Sequence, residues 1–541
     1  MPRKKPSLFV LLFLLVGQSV LGQATVLLDA NGAGGFELPG GLAANGWTAV
    51  NGTQVHGWAS NTGVPGASGA RAAFMTTDYQ QANPSIGFNA AAPGASFSHF
   101  YRDISLPANA GNILLCFKFR SNHQVTNPGL NPPLRVYADT TLAGSTFTPG
   151  SLPPPGVNPI YNGSAGVVPN WSVVCVQLSP ALAGRTIRLA FTSSIQATVN
   201  TAGPFGMQID SISLVARSGG QNLTNLKPNG DWFDVDNWSG GYVPGPLDIV
   251  TVAAGTVLNT GSTSTVHIGS ITIDGVLNIV RGLTSNDFIR VGALGSFVAS
   301  STTVNVRGNF IVSQGGAVNM SAGVLAFVQE SGAEAQVFSF HSNTQFSSGR
   351  VSALIINNPA GVTIPGSPGQ LTVYSFINLT RGVFQHNGNI LLNSTAVSAT
   401  AAPLQLAIAG GRLSAFPPVS STNRLELRYL LTVGVGLPDT VMTVGASNEL
   451  PPNRIISRLT VGNASITLLV QDSLFLDDNI INTLWLFGTV KVAPGKAIVL
   501  TNQTYPGGGG TSYLNQGHVQ GTLVFTINGS NLADRVFPVG S

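Results

Sequence analysis

The chain reads as all-β: an antiparallel sandwich followed by a region of short, stacked strands. Three observations predict this. Of 541 residues, 65 are Gly and 33 are Pro, which divide the chain into short segments. Those segments are rich in Val, Ile, Thr and Ser and tend to alternate apolar with polar positions. Charged residues make up 9% and hydrophobic residues 43%, against about 25% charged in an average globular protein. Such a composition can bury a large core and does not suit a disordered chain. At this length two or three domains are expected.

Residues 1–24, MPRKKPSLFVLLFLLVGQSVLGQA, have the layout of a secretory signal peptide. Arg3, Lys4 and Lys5 precede an unbroken apolar stretch from Leu8 to Val16, and small residues follow toward Gly22 and Ala24. That stretch is shorter than the ~20 residues a membrane-spanning helix needs. The chain carries 25 Lys+Arg against 21 Asp+Glu, which becomes 22 against 21 once residues 1–24 are set aside. A nearly neutral exported chain has no global electrostatic reason to seek nucleic acid or anionic lipid.

Residues 25–217 hold the strand-like runs HFYRDISL, NILLCFKFR, LRVYA, WSVVCVQL, TIRLAFTSS and MQIDSISLVA, separated by loops rich in Pro, Gly and Asn. Their spacing predicts an antiparallel sandwich. Two connections, Ser121 to Pro133 and FTPGSLPPPGVNPIYNGSAG, are long for a compact domain. Cys116 and Cys175, the only cysteines, lie in two of the runs. Export permits a disulfide if those strands are neighbours; the alternative is two small buried thiols.

A linker over 218–228 precedes a change of texture. From 229 to 541 short runs recur at intervals near twenty residues, among them SITIDGVLNIV, VNVRGNFIVS and RLTVGNASITLLV. This recurrence predicts solenoid rungs, a string of small sandwiches being the rival arrangement. In a rung, Val304, Val306, Phe310 and Val312 face inward, Asn305 and Arg307 outward, and Gly308, Gly315, Gly316 and Gly323 permit corners. At roughly 22 residues per rung the region would make about fourteen rungs, a spacer geometry.

The ordered set NGWTAVNGTQVHGWAS, SHFYRDISLPANAGNILLCFKFRS, LRVYA, LAGRTIRLAFT and MQIDSISL resembles a jelly-roll module of adhesin type. That module is related to MAM and carbohydrate-binding folds and occurs in large secreted surface proteins of Bacteroidota-type bacteria. The likeness covers nearly all of 25–217. The segment GDWFDVDNWSGGYVPGPLDIVTVAAGTVLN is similar to the lead-in of surface proteins that continue into a β-solenoid. The resemblance implies a jelly-roll β-sandwich over 25–217, a parallel β-helix-like solenoid over 229–541, an extracellular or outer-surface location, and type IX secretion. Such proteins finish with a sorting domain that is not visible after NGSNLADRVFPVGS, so a C-terminal truncation is expected. The resemblance further implies a structural calcium between the first and last strands of the jelly roll. The matching positions are Asp29, Asn31 and Asp210, although the first strand departs from the family's more acidic pattern.

Little in the chain suits catalysis. His56, His99, His123, His267, His341, His386 and His518 form no HExxH or HxxxH pair, and no GxSxG elbow or phosphate loop occurs. Solenoids host polysaccharide lyases and hydrolases, yet neither Asp477 with Asp478 nor Asp472 with Asp477 would share a strand face. Glu330 and Glu334 flank a loop, and Asp231, Asp234, Asp236 and Asp248 read as a solvated acidic loop. Among Trp47, Trp58, Tyr79, Tyr101 and Trp171, the contexts of Trp47 and Trp171 read as core. Trp58 and Tyr79 sit in loop-like contexts and are the expected platforms for stacking on a glycan.

The expected function is a non-catalytic, secreted surface adhesin that binds extracellular glycans or host or matrix proteins, with the solenoid as spacer. No cofactor beyond calcium is expected. Two other classes stay open: an extracellular polysaccharide-active enzyme targeted by its jelly roll, and a structural surface-layer or filament component assembled through sheet edges.

Overall fold

The computed structural model describes residues 24–62, 64–81, 84, 96–121, 123–125, 134–153, 156–163, 168–195, 199–201, 207–261, 264–299, 301–330, 334–341, 345–366, 369–393, 403–419, 424–430, 441–444, 450–477, 484–501 and 517–525. Residues 1–23, Asp478, most of the connection from Ser121 to Pro133, residues 154–155 and 164–166 of the second long connection, and the FPVG segment lie outside the described residues. The chain is all-β and groups into two compact units. The first comprises residues up to 226 with 231–250 and 261–264; the second comprises 227–230, 251–260 and 265 onward. Residues 231–250, which the sequence assigns to the second region, thus group with the first unit. No helix among the described residues is long and apolar enough to cross a membrane.

The first unit contains β1 (Ala24–Leu28), a single helical turn α1 (Gly41–Ala44), β2 (Thr48–Val50), β3 (Gly57–Asn61), β4 (Ala72–Thr76), β5 (Ser96–Ser105) and β6 (Asn112–Ser121). These are followed by β7 (His123–Val125), β8 (Leu134–Asp139), β9 (Tyr161–Asn162), β10 (Val168–Leu178), β11 (Thr186–Ile195), β12 (Val199–Thr201) and β13 (Met207–Arg217). One antiparallel sheet runs β10–β6–β13–β4–β3, with β1 also on β13, and the other runs β2–β5–β11–β8–β9. β7 pairs with β12.

Alternation explains why both sheets share one core. Ile113, Leu115 and Phe117 of β6, and Ile187, Leu189 and Phe191 of β11, occupy every second position and are fully buried together. Phe100 stacks on Phe191 at 4.9 Å, and Phe117 meets Phe191 edge-on at 5.3 Å. Trp47 and Trp58 close on Phe100 at 5.2 and 4.8 Å. Each such buried ring contributes about 1.5–3 kcal/mol through lost apolar hydration. Cys116 lies directly opposite Cys175, and their sulfurs are bonded at 2.12 Å, which ties the edge strand β10 to β6.

The second unit is built from parallel ladders. Leu258, Leu277, Phe297 and Val318 are successive register partners and all are buried. Leu325, Leu354, Ile377, Leu406, Leu427, Leu459 and Leu484 form another buried column. Val304, Val306, Phe310 and Val312 are 0% exposed, whereas Arg307 is exposed and Asn305 half-buried, as a period of two requires. Glycine is needed where ladders crowd. A Cβ on Gly308 would lie 2.3 Å from the Asp287 carbonyl oxygen, and Gly315 adopts φ +91°.

Candidate functional site

A groove of about 560 Å³ runs beside β3 in the first unit. Residues from Trp58 to Thr62 form one wall, and Pro39 to Ala43, around α1, form another; Asn51, Arg71, Tyr79 and Gln81 contribute the remaining polar lining. β3 ends its sheet, so its outer edge lacks a strand partner among the described residues. Asn51 supplies one: its side-chain oxygen accepts from the Trp58 N–H at 2.8 Å and its amide donates to the Trp58 carbonyl at 2.9 Å.

Two carboxylates fix the loop that brings Arg71 to the groove. Glu37 accepts from the backbone N–H groups of Ala70 and Arg71 at 3.1 and 3.3 Å. Asp210 accepts from those of Ala67 and Ser68 at 2.6 and 3.0 Å. The Arg71 guanidinium itself has no hydrogen-bond or ion-pair partner among the described residues. The Ser60 hydroxyl in the opposite wall is buried and likewise unpartnered among them. Tyr79 is held at both ends: its hydroxyl bonds the carbonyls of Gly52 and Gln54 at 3.0 and 2.7 Å, and its ring packs against Gly57.

The two expected stacking rings therefore differ. Tyr79 is half-buried at the groove, whereas Trp58 is 2% exposed and donates Nε1–H to the Ser98 carbonyl at 3.1 Å. Trp58 cannot offer a face to a ligand, because GWASN forms a sheet strand, with Trp58 packed on Phe100, and is not a loop. Of the two rings expected in the core, Trp47 is buried, while Trp171 is half-buried with the Arg120 guanidinium 4.7 Å above it.

The positions implied for calcium are engaged differently. Asp29 accepts from the backbone N–H of Asn31 at 3.0 Å, and the Asn31 amide donates to Asp236 at 3.1 Å. Asp210 is fully buried at a bulge where Ser211 adopts φ +53°, and its second oxygen accepts the Ser211 N–H at 2.7 Å. Burial pushes its carboxyl up to about 6, against the pull of the three amides. No group of three or more His, Cys, Asp or Glu side chains that could hold a metal occurs among the described residues. A hard cation requires several oxygen ligands, and the Asp210 oxygens face N–H donors instead, so this donor set does not fit a calcium ion.

The acidic segment after 230 is not uniformly solvated. Asp248 is 0% exposed, bonds Arg217 at 3.0 Å, and accepts from the N–H groups of Gly245 and Gln221. Burial raises its carboxyl despite the arginine. A smaller depression of about 190 Å³ adjoins His99. One imidazole nitrogen of His99 donates to the Ser151 carbonyl at 3.0 Å, and the other accepts from the Thr192 hydroxyl at 2.8 Å in the matching tautomer. Burial lowers this histidine to about 4. In the second unit, Asp472 is neutralised by Lys496 and Arg454 at 3.5 and 3.6 Å. Glu426, which the sequence did not single out, is buried against the Thr460 hydroxyl at 2.7 Å with Arg428 and Arg458 nearby.

Sequence reasoning also missed Arg71, Ser60 and Asn51. The available signal was the loop VPGASGAR, whose glycines allow tight approach to two carboxylates just before a cationic residue.

No protein-family model matches the chain, and no curated protein matches it. Among solved structures, it is similar to the K1 cleaved adhesin domain of Lys-gingipain from Porphyromonas gingivalis W83. The identity is 14%, the match covers 36% of this chain and 98% of that one, and the TM-score is 0.22. A score that low assigns neither fold nor function.

Proposed function

We propose that the chain is a secreted surface protein of adhesin type that binds extracellular glycans without transforming them. The first unit, read as a jelly roll, is the binding module; the second, read as a β-solenoid, is a spacer. Residues 1–24 support export to the outer surface or medium.

The observation that carries this reading is the set of groups lining the groove beside β3. They are amides, hydroxyls, the ring of Tyr79 and one guanidinium, with no carboxylate, imidazole or thiol among the described lining residues. Amides and hydroxyls both donate and accept, which suits sugar hydroxyls. Proton transfer at neutral pH needs a group titrating near that pH, which this lining does not supply.

The test uses the chain from residue 25 onward, applied to immobilised polysaccharides and matrix proteins with and without EDTA. Retention on a polysaccharide, unchanged by EDTA and without new reducing or unsaturated ends, is expected. Release of sugar ends would replace this reading with that of an enzyme. Retention on matrix proteins alone would remove the glycan.

A further inference from the structure

We propose that the groove selects an acidic saccharide, a hexuronate-bearing glycan, and that Arg71 is the residue that recognises its carboxylate. This rests on reading the groove as a glycan site.

Arg71 is the one charged side chain among the described lining residues. Glu37 holds its backbone N–H and leaves the guanidinium unpaired among the described residues. A half-buried guanidinium without a counter-charge is a fork of N–H donors that a planar carboxylate fills with two parallel hydrogen bonds. Thr62 and Gln81, both exposed in the same lining, offer a hydroxyl and an amide to the hydroxyls of a bound sugar. The combination of one carboxylate and neighbouring hydroxyls is the signature of a uronic acid.

An acidic peptide added as an extra strand fits less well. Asn51 already occupies both the N–H and the carbonyl of Trp58 on the β3 edge, so the backbone ladder such a peptide needs is interrupted there. The volume of about 560 Å³ is that of a cleft for a short saccharide segment.

The experiment is affinity electrophoresis of the chain from residue 25 onward through polygalacturonate, alginate and hyaluronate. The controls are methyl-esterified polygalacturonate, a neutral galactan and polyglutamate. Retardation by at least one polyuronate is expected. Arg71→Gln should weaken it about tenfold to a hundredfold, with Arg71→Lys between the two. If polygalacturonate is the ligand, its methyl ester should lose binding to the same degree. The unfolding midpoint of both variants should match the parent, because the backbone clamp on residue 71 is retained.

Retardation by neutral galactan or methyl ester equal to that by polyuronates, and indifferent to Arg71, would overturn the acidic preference and leave the glycan reading standing. Retardation by no polysaccharide would end both. Equal, Arg71-dependent binding of polyglutamate would move the assignment from sugar to peptide. The comparison of the polyuronates with neutral galactan and polyglutamate uses the unaltered chain, so it decides the matter even if a variant misfolds.

Discussion

Arg217 and Asp248 bond at 3.0 Å with neither side chain exposed, and the Tyr242 ring lies 4.4 Å from the guanidinium. This pair fastens the segment 231–250 to the last long strand of the first unit. Removing one partner strands a charge away from water, so Asp248→Ala should cost about 3–5 kcal/mol. Replacing both with apolar residues of similar volume should recover most of that loss. Fluorescence of the buried Trp232 and Trp238 during denaturant unfolding reads the effect. A fragment ending at residue 228 should be destabilised for the same reason.

The bond between Cys116 and Cys175 spans 59 residues and holds β10 at the sheet edge. Thiol counting in denaturant should find no free cysteine in the chain purified without reductant. Reduction, or a Cys116→Ala/Cys175→Ala double change, should lower stability by about 2–4 kcal/mol. Free thiols persisting after air oxidation would contradict the pairing.

His99 and Asp210 should impose opposite pH dependences. Burial lowers His99 to about 4 from 6.5, so the unfolded chain binds the proton first as pH falls. Its contribution is fully present above pH 6.5, and about 3 kcal/mol is lost on descending to pH 4. Asp210 is raised from 3.8 to about 6. Its contribution is present below pH 3.8 and lost, by about 3 kcal/mol, as pH rises through 6. In urea unfolding from pH 4 to 7, His99→Gln should gain on the parent as pH falls, and Asp210→Asn as pH rises. Parallel curves would refute both.

In the second unit, neighbouring positions should respond in opposite ways. Val306 is fully buried and Asn305 half-buried on the other face of the same strand. Val306→Asp should unfold the surrounding ladder by burying an unpaired charge, whereas Asn305→Asp should change stability by less than about 1 kcal/mol. Limited proteolysis of the two variants checks this, with new cleavage around 283–328 expected only for the first.

Those two positions also show how much was legible in the sequence. Alternation at VNVRGNFIV gives the inward set directly, because burial follows a local period. Asp248 could not be read that way: its partner, Arg217, is far along the chain, and an Asp beside prolines and glycines looks solvated. Trp58 failed for a related reason, since His56 and Gly57 give a loop-like context to what is a buried edge strand. The groove depends on which residues close the end of a sheet. Arg71 became visible only when Glu37 and Asp210, at distant positions, were seen to pin its loop.

The parallel ladders have an evolutionary consequence. Ile289 pairs with Phe310 and Leu283 with Val304, so a strand's neighbours come from the adjoining stretch of chain. Loss or duplication of one such stretch in the coding sequence would bring equivalent columns back into register, much as a link can be taken from a chain. The second unit would change by about 4.8 Å for each strand layer, while no codon of the groove would alter. Length in this unit is therefore a quantity that selection can adjust in single steps, with the sequence of the first unit unchanged.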